Sequence, residues 1–300
     1  MGVSIYKIKK WYQMLSGKSI SHVNQGEGSC YSKTDVAGYY NDLTEKILKD
    51  DPNILVPKYY VDTGEEIYFS IGIFQYGLAA YDLFLKTNEE IYKDKLIACA
   101  NWALDNQQED GSWVTFKFWE PKAPYSSMAQ GEGISMLIRA AIVTGDKRFA
   151  DAASMAKEFM LTPISDGGTT EYVGNDVILY EHTDVPVILN GWIFSLWGLY
   201  DYYKYFKDED VYGVLCKTLE SLKRKLPVFD TGFWSKYDAG KRVCSPFYHK
   251  LHIAQLTTMY DLFGDEIYIE YAKKWNGYQK SFWRSKVAFV IKAWQKIFER

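Results

Sequence analysis

A short motif returns along the chain at near-constant intervals. Tyr81-Asp82-Leu83-Phe84 comes back as Tyr260-Asp261-Leu262-Phe263 and, in degenerate form, as Tyr200-Asp201-Tyr202-Tyr203. A polar break follows each copy, then an acidic residue with an apolar–Tyr pair: Glu90-Ile91-Tyr92, Asp210-Val211-Tyr212 and Glu266-Ile267-Tyr268. A looser copy is Thr144-Gly145-Asp146-Lys147-Arg148-Phe149, and the copies lie about 57 to 63 residues apart. Repeats of this size constrain the fold strongly, because each unit can bury its apolar face only against its neighbours.

Each unit reads as helix, tight turn, helix. Phe74 to Lys86 and Glu90 to Gln107 form the first pair; Gly133 to Val143 and Lys147 to Leu161 form the second. Gly145 and Gly264 fall where a helix end needs a left-handed residue. Ile97, Ala100, Trp102 and Leu104 lie on or near one face. Val187 to Trp197 is apolar nearly all round and predicts a helix buried on most sides. Four stacked hairpins that curve predict a mainly α fold, an α/α toroid. It is an incomplete (α/α)6-type barrel with short β segments in its loops, such as Thr170 to Val173. The first helix of each pair is the more apolar and is expected inside.

Long non-helical stretches separate the hairpins: Asn53 to Tyr68, Gly111 to Met128, Pro163 to Pro186 and Val228 to Phe247. Loops of this length in a compact domain are usually functional, and these are expected to gather at one mouth of the toroid. The division predicted is an N-terminal amphipathic or linker segment over 1–37, the toroid over 38–281, and a basic amphipathic helix over 282–300.

Composition narrows the partners. A load of 25 Tyr, 16 Phe and 10 Trp fits either an aromatic core or a groove whose rings stack on sugars. A net charge of −3 argues against nucleic acid. Cys30, Cys99, Cys216 and Cys244 are scattered, with no CxxC spacing, so neither a zinc site nor a disulfide framework is expected. No run reaches about 18 apolar residues, and Met1 to Ser19 lacks a signal-peptide pattern. The expected location is cytoplasmic. Both ends carry basic amphipathic stripes: Ile8, Trp11, Tyr12 and Leu15 beside Lys7, Lys9, Lys10 and Lys18, and Val287, Val290, Ile291, Trp294, Ile297 and Phe298 beside Lys286, Lys292, Lys296 and Arg300. Such stripes either lie on the inner face of a membrane or dock on the domain or a second subunit, as in a homodimer.

Three segments could carry chemistry. Glu181 and His182 stand in an otherwise apolar stretch ahead of a buried helix, where a carboxylate is either paired or raised in pKa. Such a residue is a general-base candidate or, alternatively, a helix cap. Asp230 to Asp238 is a polar, aromatic turn holding Trp234 and Tyr237. In the third segment, His249, His252 and Gln255 are spaced one turn apart and can share a cavity. Taken singly, each His reads as structural, and no HExxH pattern supports metal catalysis. Gly131-Glu132-Gly133 lacks a preceding strand and reads as a crowded helix start, not a dinucleotide loop.

Several strings in order carry a resemblance. They are Gly38-Tyr39-Tyr40-Asn41-Asp42-Leu43, Gln75-Tyr76-Gly77-Leu78, Trp102 to Gln107, Met128-Ala129-Gln130-Gly131-Glu132-Gly133-Ile134-Ser135 and Leu189-Asn190-Gly191-Trp192-Ile193-Phe194-Ser195-Leu196 with Gly198-Leu199-Tyr200-Asp201. Phe229-Asp230-Thr231-Gly232, Tyr248-His249, His252-Ile253 and Gln255-Leu256 complete the set. From about Gly38 to Tyr278 the chain resembles the catalytic helical region of the glucuronyl C5-epimerases of heparan sulfate and heparosan-type synthesis, in their short microbial form. The family's Glu-Tyr pair ahead of Leu-Asn-Gly is matched by Glu181 followed by His182, with Tyr180 preceding. The family's two further tyrosines match Tyr237 and Tyr248, and its basic residue is roughly matched by Lys241 or Arg242.

The resemblance implies inversion at C5 of a hexuronic acid within an acidic polysaccharide. A proton leaves one face and returns on the other, so two groups must flank the sugar. Glu181 and Tyr248 are expected in those places, tuned by Tyr237 and His182. Tyr180, Asn190, Lys241, Arg242, His249, His252, Gln255, Gln130 and Trp234 are expected to contact substrate. No cofactor is needed for proton exchange with water. A uronate polysaccharide lyase, which starts with the same abstraction, and a non-catalytic toroid that binds acidic glycan are the alternatives.

Overall fold

A computed structural model describes residues 23–61 and 64–298. The stripe near Ile8 to Leu15 lies outside the described residues. After a single helical turn, α1 (Glu45–Leu48), four helical hairpins follow: α2 (Ser70–Thr87) with α3 (Glu90–Asn106), α4 (Ser127–Thr144) with α5 (Lys147–Leu161), α6 (Leu189–Phe206) with α7 (Glu209–Lys225), and α8 (Pro246–Phe263) with α9 (Glu266–Lys280). A last helix, α10 (Phe282–Phe298), closes the described chain. Two antiparallel pairs, β1 (Tyr59–Tyr60) with β2 (Glu66–Ile67) and β3 (Thr170–Val173) with β4 (Asp176–Leu179), sit in the loops. The fold is mainly α, an α/α toroid. Among the described residues no helix is long and apolar enough to cross a membrane.

The first helix of every pair is the inner one. α2, α4 and α6 are buried over almost their whole length, while the outer helices bury one face. Ser126 and Ser245 cap α4 and α8, and Asp146 and Asp208 cap α5 and α7, each accepting from backbone N–H groups of the first turn. Inner helices pack at very short range. A Cβ on Gly198 would lie 2.4 Å from Cα of Gly131, so α4 and α6 can approach only where both lack side chains. Gly131 and Gly133 therefore lie inside α4, not at its start, which is at Ser127.

All four inner helices have 18 residues and end on a left-handed residue: Asn88, Gly145, Lys207 and Gly264. Gly145 and Gly264 accept that conformation freely, whereas Lys207 at φ 57 pays for its Cβ. Lys207→Gly is expected to stabilise the fold by about 1 kcal/mol, read as a rise in the urea midpoint at unchanged slope. The Lys207 ammonium lies 5.9 Å from the Tyr203 ring, a contact that trims the gain.

Residues 23–44 are part of the toroid, not a linker. They run across the C-terminal ends of the inner helices and bond to the thirteenth residue of each: Asp82, Arg139, Asp201 and Thr258. Tyr39 N–H donates to Asp82 Oδ1 at 2.8 Å, Tyr40 hydroxyl to Asp201 Oδ1 at 2.6 Å, and Thr258 hydroxyl to Tyr40 O at 3.3 Å. Arg139 donates to Ala37 O, Gly38 O and Asp201 Oδ2. Burial pushes Asp201 up, but the Arg139 guanidinium and Lys204 ammonium outweigh it, and its carboxyl titrates below the usual range. One mouth of the ring is thus plugged, and the other is left for chemistry.

Candidate active site

A cavity of about 520 Å³ opens at the N-terminal ends of the inner helices. The second residue of each inner helix lines it (Ile71, Met128, Asn190, Phe247), as does the sixth of three of them (Gln75, Phe194, Leu251). Four helix N-termini pointing one way give the cavity a positive potential suited to an anionic group. All four long loops reach it, contributing Tyr59, Phe116, Trp119, Glu181, His182, Tyr237 and Arg242 among others.

Local pairing explains why these side chains meet. Tyr237 N–H donates to Arg242 O at 2.7 Å, and Lys236 faces Val243, so a small hairpin sets Arg242 beside Tyr237. That hairpin pairs with the strand-like entry to α6: Leu189 N–H donates to Tyr237 O and Ala239 N–H to Val187 O. Glu181 is on the same entry segment, while Tyr248 is in the first turn of α8. The Tyr237 and Tyr248 rings meet edge to face at 4.8 Å.

Burial pushes Glu181 up to about 7, with Arg242 pulling the other way. Its carboxylate accepts from Asn190 Nδ2 at 3.4 Å. A Cβ on Gly191 would fall 2.2 Å from Glu181 Oε2, so only glycine leaves room for this carboxylate. Burial, followed by the Glu181 charge, holds both phenols above their ordinary range, so Tyr237 and Tyr248 stay protonated at neutral pH. Arg242 pairs with Asp238 and lies 5.1 Å from the Tyr237 ring. Burial lowers the His182 pKa, keeping the imidazole neutral, and its ring packs 5.0 Å from Phe116. The arrangement sets a carboxyl that can lose its proton near neutral pH beside two phenols that keep theirs, which is the equipment of acid–base chemistry.

Other expected contact residues are placed elsewhere. His249, His252 and Gln255 are fully buried and face the helix packing instead of the cavity. Ser235 N–H donates to His249 Nδ1, so that nitrogen is the acceptor and Nε2–H donates to Trp275 O at 3.0 Å. Burial lowers His249 to about 4 and His252 to about 3, so both rings are neutral. Trp234 stacks on His249 at 3.6 Å and donates to Cys244 O. Gln255 donates to Asn190 O, and Gln130 to Gly111 O and Ala156 O. Tyr180 turns away to donate to Glu171 Oε2 at 2.9 Å. Lys241 is exposed, and its carbonyl accepts from Gln295. These residues hold the site's loops and helices together from behind. His249 in particular latches the Tyr237 hairpin to the helix that bears Tyr248.

Three groups escaped the sequence reading. Glu132 is fully buried, accepts from cavity-lining Gln75 Nε2 at 2.8 Å, and is held well above the carboxylate range by burial, against Gln75 and Lys46. Lys46, in α1, lines the cavity, and burial lowers it to about 8. An aromatic rim of Phe69, Phe116 and Trp119 borders the opening, with Phe69 and Trp119 at 5.4 Å. Gln75 and Glu132 occupy the same sixth position of adjacent inner helices. Aligning the repeats would have exposed two polar residues where an apolar helix should have none.

Known proteins resemble this chain in sequence and in fold. Residues 110–277 match the model of the D-glucuronyl C5-epimerase C-terminus family. A D-glucuronyl C5-epimerase of Caenorhabditis elegans is 31% identical over 220 residues, 63% of this chain and 35% of that protein. An uncharacterized protein of Methanocaldococcus jannaschii is 31% identical over 155 residues, 50% of each. The chain thus spans half or less of the length of these relatives. Among solved structures, an unsaturated glucuronyl hydrolase variant with dGlcA-Glc-Rha-Glc superposes with a TM-score of 0.51 at 12% identity, over 90% of this chain and 82% of its own, a likeness of fold.

Proposed function

The chain belongs to the D-glucuronyl C5-epimerase C-terminal family, and from that premise we propose that it inverts C5 of a hexuronic acid, glucuronate to iduronate, within an acidic polysaccharide. The observation that carries this reading is a single one. Glu181, poised near neutrality, lines the same cavity as two protonated phenols, Tyr237 and Tyr248.

In this reading the uronate carboxylate enters toward the helix N-termini, where Arg242 and Lys46 add positive charge. Glu181 takes the C5 proton, and the electron pair delocalises into the carboxylate as an enediolate. Preorganised donors and cations stabilise that charge better than water can, one contact being worth about 3 kcal/mol. Tyr248 returns a proton to the opposite face. The enediolate is far more basic than any phenolate, so even a phenol of raised pKa can protonate it. Tyr237 hydrogen-bonds to Tyr248 and lowers the pKa of that phenol, easing the transfer. Phe69, Phe116 and Trp119 offer faces for the sugars alongside.

Incubation with heparosan in heavy water tests the proposal. Deuterium appearing at C5 by NMR, with chain length unchanged and iduronate formed, is the expected result. A product absorbing in the near ultraviolet would mark β-elimination and a lyase. Binding of the polymer without exchange would leave only a glycan-binding toroid.

A further inference from the structure

The last helix presents two chemically different edges. Ala288, Ile291 and Gln295 face the domain, Gln295 bonding Val243 N–H and Lys241 O. On a neighbouring face, about 100° further round the helix, Trp283, Val287, Val290 and Trp294 recur at spacings of four, three and four, a narrow stripe. Their exposures are 76%, 48%, 65% and 61%. Phe282 and Phe289 widen the apolar surface at its edge. Within Phe282–Phe298 the sequence has Arg284, Lys286, Lys292 and Lys296 and no Asp or Glu, although the whole chain is net −3.

We propose that α10 docks this face on an anionic lipid bilayer, lying in the plane of the headgroups. Its apolar stripe enters the acyl boundary, its two tryptophans sit at headgroup level, and Arg284 and Lys286 flank the stripe to meet lipid phosphates. Charge decides against a second copy of the chain. Pairing two such faces would set like charges against each other. A bilayer bearing negative headgroups meets both the apolar and the basic requirement. Because the domain-facing side of α10 grips the hairpin of Tyr237 and Arg242 through Gln295, docking would hold the cavity close to the lipid surface.

Co-sedimentation of the full chain with vesicles tests this. Vesicles of phosphatidylcholine with about a quarter phosphatidylglycerol are compared with phosphatidylcholine alone. Binding to the anionic vesicles at least tenfold tighter than to neutral ones, and weakened by salt, is expected. Trp283→Ser with Val290→Ser removes exposed side chains only, so circular dichroism and C5 exchange should persist while vesicle binding falls at least tenfold. Arg284→Glu with Lys286→Glu, which leaves the stripe intact, should abolish the preference for anionic lipid. Equal binding to both vesicle types, or undiminished binding of the stripe variant, overturns the proposal. So does a concentration-dependent dimer in sedimentation velocity that the stripe variant dissolves, without vesicle binding by the parent chain.

Discussion

Glu181→Gln is expected to cut C5 hydrogen exchange by about 10³-fold, the usual worth of a positioned general base, and to make the protein more stable at the same time. The two effects share one cause. The folded state holds Glu181 near pKa about 7, whereas a solvated glutamate titrates near 4.5. Between those values the folded chain keeps a proton that the unfolded chain has released. Stability therefore falls as pH rises from 4.5 to 7 and levels off above, at a cost of about 3 kcal/mol. A neutral Gln escapes that cost, so its melting temperature should exceed the parent's by several degrees at pH 8 and by little at pH 4. Exchange by the parent should follow the ionised carboxylate, rising with pH through an inflection near 7 and falling about 100-fold by pH 5. Calorimetry and the heavy-water assay across pH read both halves. A stable variant with undiminished exchange would remove Glu181 from the mechanism, and a destabilised one would mean its carboxylate holds the fold.

The parts of this site that could be read beforehand are those whose chemistry conflicts with their surroundings. A Glu inside an apolar run is such a conflict, and Glu181 stood out for that reason. Helix ends at Gly145 and Gly264 were visible through glycine, while the equivalent ends at Asn88 and Lys207 left no comparable mark. The histidines misled for a definite reason. A spacing of three residues shows that His249, His252 and Gln255 share a face of α8, but not which face. With buried residues spread around that helix, periodicity has no direction to offer. In α10 the sequence set Ile291 on one stripe with Val287, Val290 and Trp294, and the structure turns Ile291 to the core and leaves the other three exposed. Glu132 was hidden by its neighbours: two glycines drew the reading toward backbone geometry, when the polar residue between them reaches Gln75 at the cavity floor. Tyr39 and Tyr40 counted as markers of resemblance, yet their work as a plug depends on four residues from four helices and has no local signature.

Asp201→Asn should destabilise the protein by about 3 to 5 kcal/mol, the cost of leaving a buried cation without its counter-charge. Asp201 and Arg139 are both fully buried and 2.6 Å apart, and Lys204 stands 3.6 Å from the same carboxylate. The Tyr40 hydroxyl donates to the remaining oxygen. An amide there keeps the shape and removes the charge, and its NH₂ group would confront donors. The carboxyl titrates below its usual range, so its stabilisation is present above the ordinary Asp pKa and is lost only as pH falls through the depressed value. The defect should hence be constant across neutral pH, whereas the gain from Glu181→Gln grows as pH rises toward 7. Replacing both partners, Asp201→Leu with Arg139→Met, should cost less than the single change, since the one cation left, Lys204, keeps its bonds to Ser32 O and Asp35 O. The network seals the mouth opposite the cavity, so KM for the polymer should be unchanged below the melting transition. Urea unfolding of the single and double variants, set beside their KM values, checks each part. A single variant as stable as the parent would mean that the plug, not the ion pair, carries the closure of the ring.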